Sequence, residues 1–382
     1  MEYFSPELRL TLALLRAALG SPPSLPTVAK PIDWAIFVAT LERHRVGAFL
    51  YRQARPRLEA ACPGLVVQQI REIANAVNQR ALNQAAEQIR LMKALGAGGV
   101  DVKTVKGLVL GQRLYGQLGT RHVGDIDLWV QPADVARADL LLRAAGLTRS
   151  RPDLPLTPLQ FKKFVQLKPE FEYRGVSRSL RVELLWRLEG LPDHHVPWKE
   201  AATSTIGGYE LRTLPPQVDA LYLLQHGARH GWFRLFWLVD AALLLRDPKI
   251  HWPAVMIQAR QLGLERPVLQ AAALVETLFG ISRPTALMPR GHEKAIVATL
   301  CAEASRQIAR EPQEHERVGE WARQLGYRLR LQKSVAQKFS VLAPHFFTPE
   351  SWRTWPLPDR WFFLYYFLTP FLWFWRRLRR TA

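Results

Sequence analysis

The spacing of apolar residues changes twice along this chain, and each change marks a change of structure. Leu8, Leu12 and Leu15 recur at helical spacing on one face. SPPSLP (21–26) breaks that helix. IDWAIFVATLERHRVGAFLYRQA resumes the helical period, and a stretch rich in Ala, Gln, Asn and Arg predicts a long helix from Leu65 to Leu95. GAGG (96–99) ends it, because glycine suits a helix C-terminus. From residue 100 the pattern differs. VDVKTVKG (100–107) alternates and is β-branched, which predicts a strand, and LVLGQRLYGQL (108–118) predicts a short helix. DIDLWVQP (125–132) predicts a second strand, stopped by Pro132. ADVARADLLLRAAGL predicts a helix ending at Gly146, and a polar, Pro-rich stretch follows. FEYRGVSRSLRVELLWRL (171–188) predicts two strands in a hairpin around Gly175 to Ser179. From Pro215 the helical period returns, in VDALYLLQHGARH and GWFRLFWLVDAALLLRD, and runs to about Phe339.

This order predicts an α+β fold: a small mixed sheet with helices, flanked by helical regions at both ends. The expected division is an N-terminal helical region (1–98), a core (99–212), a C-terminal helical domain (213–345) and an aromatic, basic tail (346–382). With 48% hydrophobic residues the chain can bury a sizeable core. Lys and Arg number 52 against 33 Asp and Glu, a formal charge of +19, which favours anionic partners: nucleic acid, anionic lipid or phosphate-bearing substrates. The basic residues are dispersed over helices (Arg306, Arg310, Arg317, Arg323, Arg328, Arg330), so nucleic acid is one partner among several and no RNA-binding module is recognisable. Two distant cysteines, Cys62 and Cys301, exclude a disulfide scaffold and a cysteine-based zinc site, and fit a reducing compartment. The N-terminus lacks the pattern of a signal peptide, so the expected location is cytoplasmic.

Asp125 and Asp127 stand one residue apart in an otherwise apolar run. On a strand they share one face, while Ile126 and Leu128 face the core. Two adjacent carboxylates repel each other unless a cation lies between them. Mg²⁺ or Mn²⁺ is the natural choice, since it takes oxygen ligands from one or two carboxylates plus substrate phosphates. A third carboxylate on a neighbouring strand would complete a two-metal site, and Glu183 in LRVELLW is the best placed. Lys106-Gly107 falls where a strand meets a helix, so its backbone N–H groups could take a phosphate, with Lys106 and Arg121 adding positive charge. An isolated D-x-D is common on surface strands. What gives this one weight is the order: strand, Gly turn, helix, D-x-D strand, carboxylate strand.

With these residues, that order resembles the DNA polymerase β-like nucleotidyltransferase superfamily, and most of all a bacterial group of uncharacterised nucleotidyltransferases. The likeness is carried by Lys106-Gly107, Tyr115, R-x-x-x-D-I-D-L-x-V (121–130), Gly146 and V-E-L-x-W-R-L (182–188). It continues in LLQHGARHGWFRLFWLVDAALLL (223–245) and RHRVGAFLYRQ (43–53). The chain departs from the wider superfamily in having Lys-Gly for Gly-Ser before the helix. It also has Leu185 where relatives often place a histidine. The resemblance implies a polymerase-β-like core that transfers a nucleoside monophosphate from an NTP and releases pyrophosphate. Asp125, Asp127 and Glu183 would hold Mg²⁺ or Mn²⁺, and Glu183 could instead act as base. The acceptor stays open among a glycan, a lipid-linked intermediate, a protein and a small molecule. Two other readings keep the fold: a toxin-like or defence enzyme that modifies tRNA, and a scaffold without turnover.

His226 and His230 lie four apart on one helix face, with Arg229 between them. They could face the nucleotide or line helix packing; zinc would need further ligands that the sequence does not offer. Asp240 sits in an apolar run and needs a partner, for which His230 or Arg234 would serve. The tail WFFLYYFLTPFLWFW (361–375) is too short to span a bilayer and is followed by RRLRR. It fits either an anchor at the interface of an anionic membrane, through residues 361–380 on the inner face of the cytoplasmic membrane, or a helix packed on the body.

Overall fold

The computed structural model describes residues 4–21, 31–175, 180–191, 198–310, 318–342 and 348–381. Most of the SPPSLP break, the hairpin turn at 176–179 and Arg317 lie outside these residues. The described chain begins with α1 (Pro6–Ala18), α2 (Trp34–His44), α3 (Gly47–Gln53), α4 (Arg55–Ala61) and the long α5 (Gly64–Ala97). Then come β1 (Val102–Thr104), α6 (Gly107–Tyr115), β2 (Ile126–Val130), α7 (Val135–Ala144), β3 (Thr148–Arg151), α8 (Pro158–Leu167), β4 (Glu170–Arg174) and β5 (Arg181–Leu185). The hairpin β6 (Ala202–Ile206) and β7 (Tyr209–Thr213) precedes α9 (Pro216–Arg229), α10 (Leu235–Leu245), α11 (Trp252–Leu262), α12 (Glu265–Phe279) and α13 (Glu293–Ala309). The chain closes with α14 (Val318–Leu331), α15 (Val335–Leu342), α16 (Pro349–Thr354) and α17 (Tyr365–Thr381). The mixture of helix and small sheet is the α+β class that the change of period predicts.

Local chemistry explains several boundaries. The Ser5 side chain accepts from Leu8 N at the start of α1, and Asp33 accepts from Ala35 N and Ile36 N at the start of α2. Several elements were not expected from the sequence. Thr157 and Gln160 form a reciprocal capping box that starts α8 inside the Pro-rich stretch. Gly207-Gly208, both at positive φ, turn the β6–β7 hairpin. β3 also lies in that stretch, paired antiparallel to β4.

The described chain divides into two compact units, each built from interleaved segments: residues 1–89, 104–124 and 190–331, and residues 90–103, 125–189 and 332–382. Periodicity cuts a chain into consecutive stretches, whereas packing gathers distant ones.

The second unit holds the sheet, in the order β1-β2-β5-β4-β3. β2 runs parallel to β5, and β5 and β4 are antiparallel, as the hairpin pattern predicts. One sheet face is apolar: Ile126, Leu128, Val182, Leu184 and Phe171 are fully buried, each worth about 1.5–3 kcal/mol in transfer from water. Phe171 stacks on Phe164 of α8 at 4.9 Å and meets Trp186 edge-on at 4.9 Å.

The first unit is mainly helical. Its 226–240 block owes much of its composition to packing. A Cβ on Gly227 would come within 2.3 Å of the Trp232 ring, so only glycine fits beneath that indole. Trp232 Nε1 donates to Gln270 Oε1 at 3.2 Å, and Tyr327 Oη donates to Ala228 O at 2.8 Å. The Arg43-His44 pair is likewise structural. Arg43 donates to the last carbonyls of α13 at Gln307 and Ile308, and His44 Nδ1 accepts the Leu235 N–H that opens α10.

Candidate active site

In the second unit, register does what sequence spacing could only suggest. Asp127 of β2 pairs with Glu183 of β5, and Glu183 pairs with Glu172 of β4. Register partners point to the same face, so three carboxylates form a row across three adjacent strands, with neighbouring Cβ atoms about 5 Å apart. The opposite face is the apolar one described above. Asp125 lies one residue before β2 and is half-buried.

The sequence sets Asp127 on the face opposite the core residues Ile126 and Leu128, and that face is covered as well. β2 is buried along its whole length, and Asp127 is only 2% exposed. Burying β2 on both faces withdraws Asp127 from bulk water, which raises the cost of its charge and the value of any cation beside it.

Two residues that the sequence did not single out belong to this face. Glu172 is paired with Arg151 of β3 at 3.1 Å. Lys103 of β1 is wholly buried, with Nζ 5.4 Å from the centroid of the Trp129 ring. Trp129 follows Asp127 by two residues and shares its face. The hairpin register could have revealed Glu172. Nothing in a one-dimensional pattern distinguishes Lys103 from a solvated lysine.

Among the described residues, no group of three or more His, Cys, Asp or Glu side chains converges closely enough to hold a metal ion. Asp127, Glu183 and Glu172 stand in one row across the three strands. The donors are nonetheless of the right kind. Asp127 and Glu183 offer adjacent hard oxygens, and Mg²⁺ is commonly held by one or two carboxylates together with substrate phosphates.

The other predicted residues lie in the first unit. Lys106 precedes α6 at φ 55°, ψ −139°, a conformation that fits glycine and strains any other residue. Gly107 follows at φ 48° and opens the helix, and no side chain caps it. The Lys106 Nζ lies 5.4 Å from the Tyr222 ring centroid. Along α9 from Tyr222 come His226 and His230, with ring centroids 4.7 Å apart, and His230 stacks on Trp237 at 5.2 Å. Burial, then Lys106 and His230, hold the His226 imidazole well below the usual histidine range. Burial, then Arg229, Arg328 and Lys106, push His230 down to about 3. Both rings are therefore neutral at physiological pH. Arg229 Nη2 lies 3.4 Å from His230 Nε2.

Arg121 and Asp240 solve each other's burial. Arg121 Nε donates to both Asp240 oxygens at 2.9 and 3.1 Å, and Nη2 donates to Oδ2 at 2.9 Å. Tyr115 Oη donates to Asp240 Oδ1 at 2.6 Å. His230 and Arg234 were the expected partners of Asp240, so this is a correction. α10 carries Asp240 to the Arg121 segment, which is remote in sequence. Arg121 Nη1 also lies 3.5 Å from Gly107 O. Its guanidinium thus braces the start of α6 and is spent largely on protein contacts.

These residues fall inside the span of a known family. A family model described as uncharacterised nucleotidyltransferase matches residues 30–280, more than half of the chain. The chain belongs to this nucleotidyltransferase family. No curated protein and no solved structure matches it. The matched span takes in the Lys106-Gly107 turn, the D-I-D strand, Glu183 and the α9–α10 pair, and it stops before α13 and the aromatic tail. Membership points to a transferase acting on a nucleoside triphosphate.

Proposed function

We propose that the protein is a divalent-metal-dependent nucleotidyltransferase with a polymerase-β-like core, moving a nucleoside monophosphate from an NTP to an acceptor nucleophile. The observation that carries the reading is the register of Asp127 with Glu183 in a member of this family. Asp127 and Glu183, with Asp125 before the strand, are the residues that would hold Mg²⁺ or Mn²⁺. Bound there, the ion would neutralise phosphate oxygens during in-line displacement. The acceptor hydroxyl attacks the α-phosphorus, the bond to the bridging oxygen breaks, and pyrophosphate leaves. Glu183, half-buried in the middle of the row, could instead take the hydroxyl proton. The strained Lys106-Gly107 turn offers backbone N–H groups and an ammonium to phosphate oxygens. Arg121 is assigned a positioning role through Asp240 and Gly107, and the neutral His226–His230 pair with Arg229 a supporting role on the nucleotide side. An NTP substrate goes with a cytoplasmic location.

A scaffold without turnover is the second reading, and it is favoured by the absence of a converging metal cluster among the described residues. Calorimetry of NTP binding with and without Mg²⁺, on wild type and on Asp125→Asn/Asp127→Asn, separates the two. Metal-dependent binding that the substitutions abolish supports the enzyme. Binding that is absent, or identical in both proteins, sinks it and leaves the scaffold.

A further inference from the structure

The C-terminal segment has two faces among the described residues, one buried and one exposed. On the inner side, Trp352 of α16, Phe362, Tyr365, Thr369 and Leu372 are buried. Phe362 and Tyr365 pack on Trp352 at 5.6 and 6.3 Å, and on each other at 5.5 Å. Tyr365 Oη donates to Trp355 O at 2.7 Å and accepts from Leu357 N at 2.8 Å. These contacts fix the root of α17 and the rotation of its first turns.

On the outer side, Phe363, Phe367, Phe371 and Trp375 recur every four residues, so they form one stripe. All four are exposed, Phe367 at 68% and Phe371 at 74%, and Trp361 and Tyr366 widen the same surface. A contiguous aromatic patch of this kind on a protein surface marks an interaction site. Four arginines follow Trp375 directly, at 376, 377, 379 and 380, and the only acid from 355 onward is Asp359. The side chains of those arginines lie outside the described residues. No helix among the described residues is long and apolar enough to cross a membrane.

We propose that this stripe is a membrane-interface anchor that lies in the plane of an anionic bilayer, with the arginines on its phosphate headgroups. Three features select a lipid surface over another protein chain. Tryptophan and tyrosine stand beside phenylalanine, the mixture found at the level of the headgroups. Positive charge sits immediately beside the apolar stripe and almost no negative charge does, which matches an anionic surface. The helix is amphipathic and does not span, which is the geometry of an interfacial helix. The proposal goes beyond nucleotidyl transfer and does not depend on it.

Co-sedimentation of the full chain with vesicles of phosphatidylcholine alone, or of phosphatidylcholine with phosphatidylglycerol, tests it. Wild type is expected to bind the anionic vesicles and to lose affinity with added salt. Removing phosphatidylglycerol, or changing Arg376→Gln/Arg377→Gln, weakens binding by about fivefold per arginine interaction lost. Phe367→Ser/Phe371→Ser/Trp375→Ser abolishes binding and leaves the folded state in place by circular dichroism, because Phe367 and Phe371 are mostly exposed. Equal binding by wild type and the triple variant overturns the proposal, as does failure of wild type to bind anionic vesicles. So does a wild-type dimer that the triple variant converts to monomer without any binding to vesicles, which would assign the stripe to a second copy of the chain.

Discussion

Replacing Arg121 by methionine removes one half of a buried, multiply hydrogen-bonded ion pair in the first unit. The other half, Asp240, is 2% exposed and would keep, among the described residues, the hydrogen bond from Tyr115. Three N–H···O contacts between 2.9 and 3.1 Å would be lost together. Breaking a buried pair by removing one partner costs about 3–5 kcal/mol, because the survivor's charge is left without compensation. For a folded body of this size, each kcal/mol moves the thermal midpoint by about 2–4 °C. Arg121→Met should therefore lower the midpoint by about 6–20 °C. Arg121→Met/Asp240→Leu removes both charges and should recover most of that loss, since a buried pair and a well-packed apolar replacement are close in stability. Tyr115→Phe should cost less, about 1.5–3 kcal/mol for one hydrogen bond to a charged acceptor. Thermal melts followed by near-ultraviolet circular dichroism measure all three. If Arg121→Met melts within about 3 °C of wild type, or if the double variant is no better than the single one, the pair does not stabilise the fold as argued.

Three further outcomes are expected. Lys106→Gly relieves a backbone strained at φ 55° and should raise stability by about 1–3 kcal/mol while weakening NTP binding; a midpoint that stays or falls refutes the strain argument. Lys103→Met removes a wholly buried cation from the carboxylate face, so it should lower the midpoint in chelator, and Mg²⁺ should restore more of it than it adds to wild type; an equal Mg²⁺ effect on both proteins refutes this. Burial, reinforced by neighbouring arginines, holds His44, His122 and His230 down at about 3, and burial holds His226 well below its usual value. Below the unfolded value of about 6.5 the unfolded chain takes up protons that the folded chain refuses. Stability is therefore full above that pH and falls toward about 3, by up to about 1.4 kcal/mol per pH unit for each histidine. A urea midpoint that stays flat between neutral pH and about pH 5 rules this out.

The sequence by itself determined the class of the fold and the identity of the carboxylate strands. Period-two alternation in DIDLWV and LRVELLW can only be satisfied by strands with one apolar face, and the helical period on either side fixes the flanks. α8 and the β6–β7 hairpin were legible too, through Thr157-Pro158-Leu159-Gln160 and Gly207-Gly208, because capping and turn chemistry act over a few residues. What lay beyond the sequence was long-range pairing. The register that sets Asp127 beside Glu183 and Glu172 depends on which strands become neighbours. The burial of Asp127 and Lys103 depends on what covers the second face of the sheet. The choice of Arg121 over His230 or Arg234 as the partner of Asp240 depends on where α10 packs. In the tail, aromatic composition allowed both a packed helix and an exposed one. Only packing against Trp352 decided which rings turn inward and left Phe363, Phe367, Phe371 and Trp375 facing out. Local chemistry fixes what an element is, but the partner of a buried charge and the exposed side of a helix are set by residues far away in the chain.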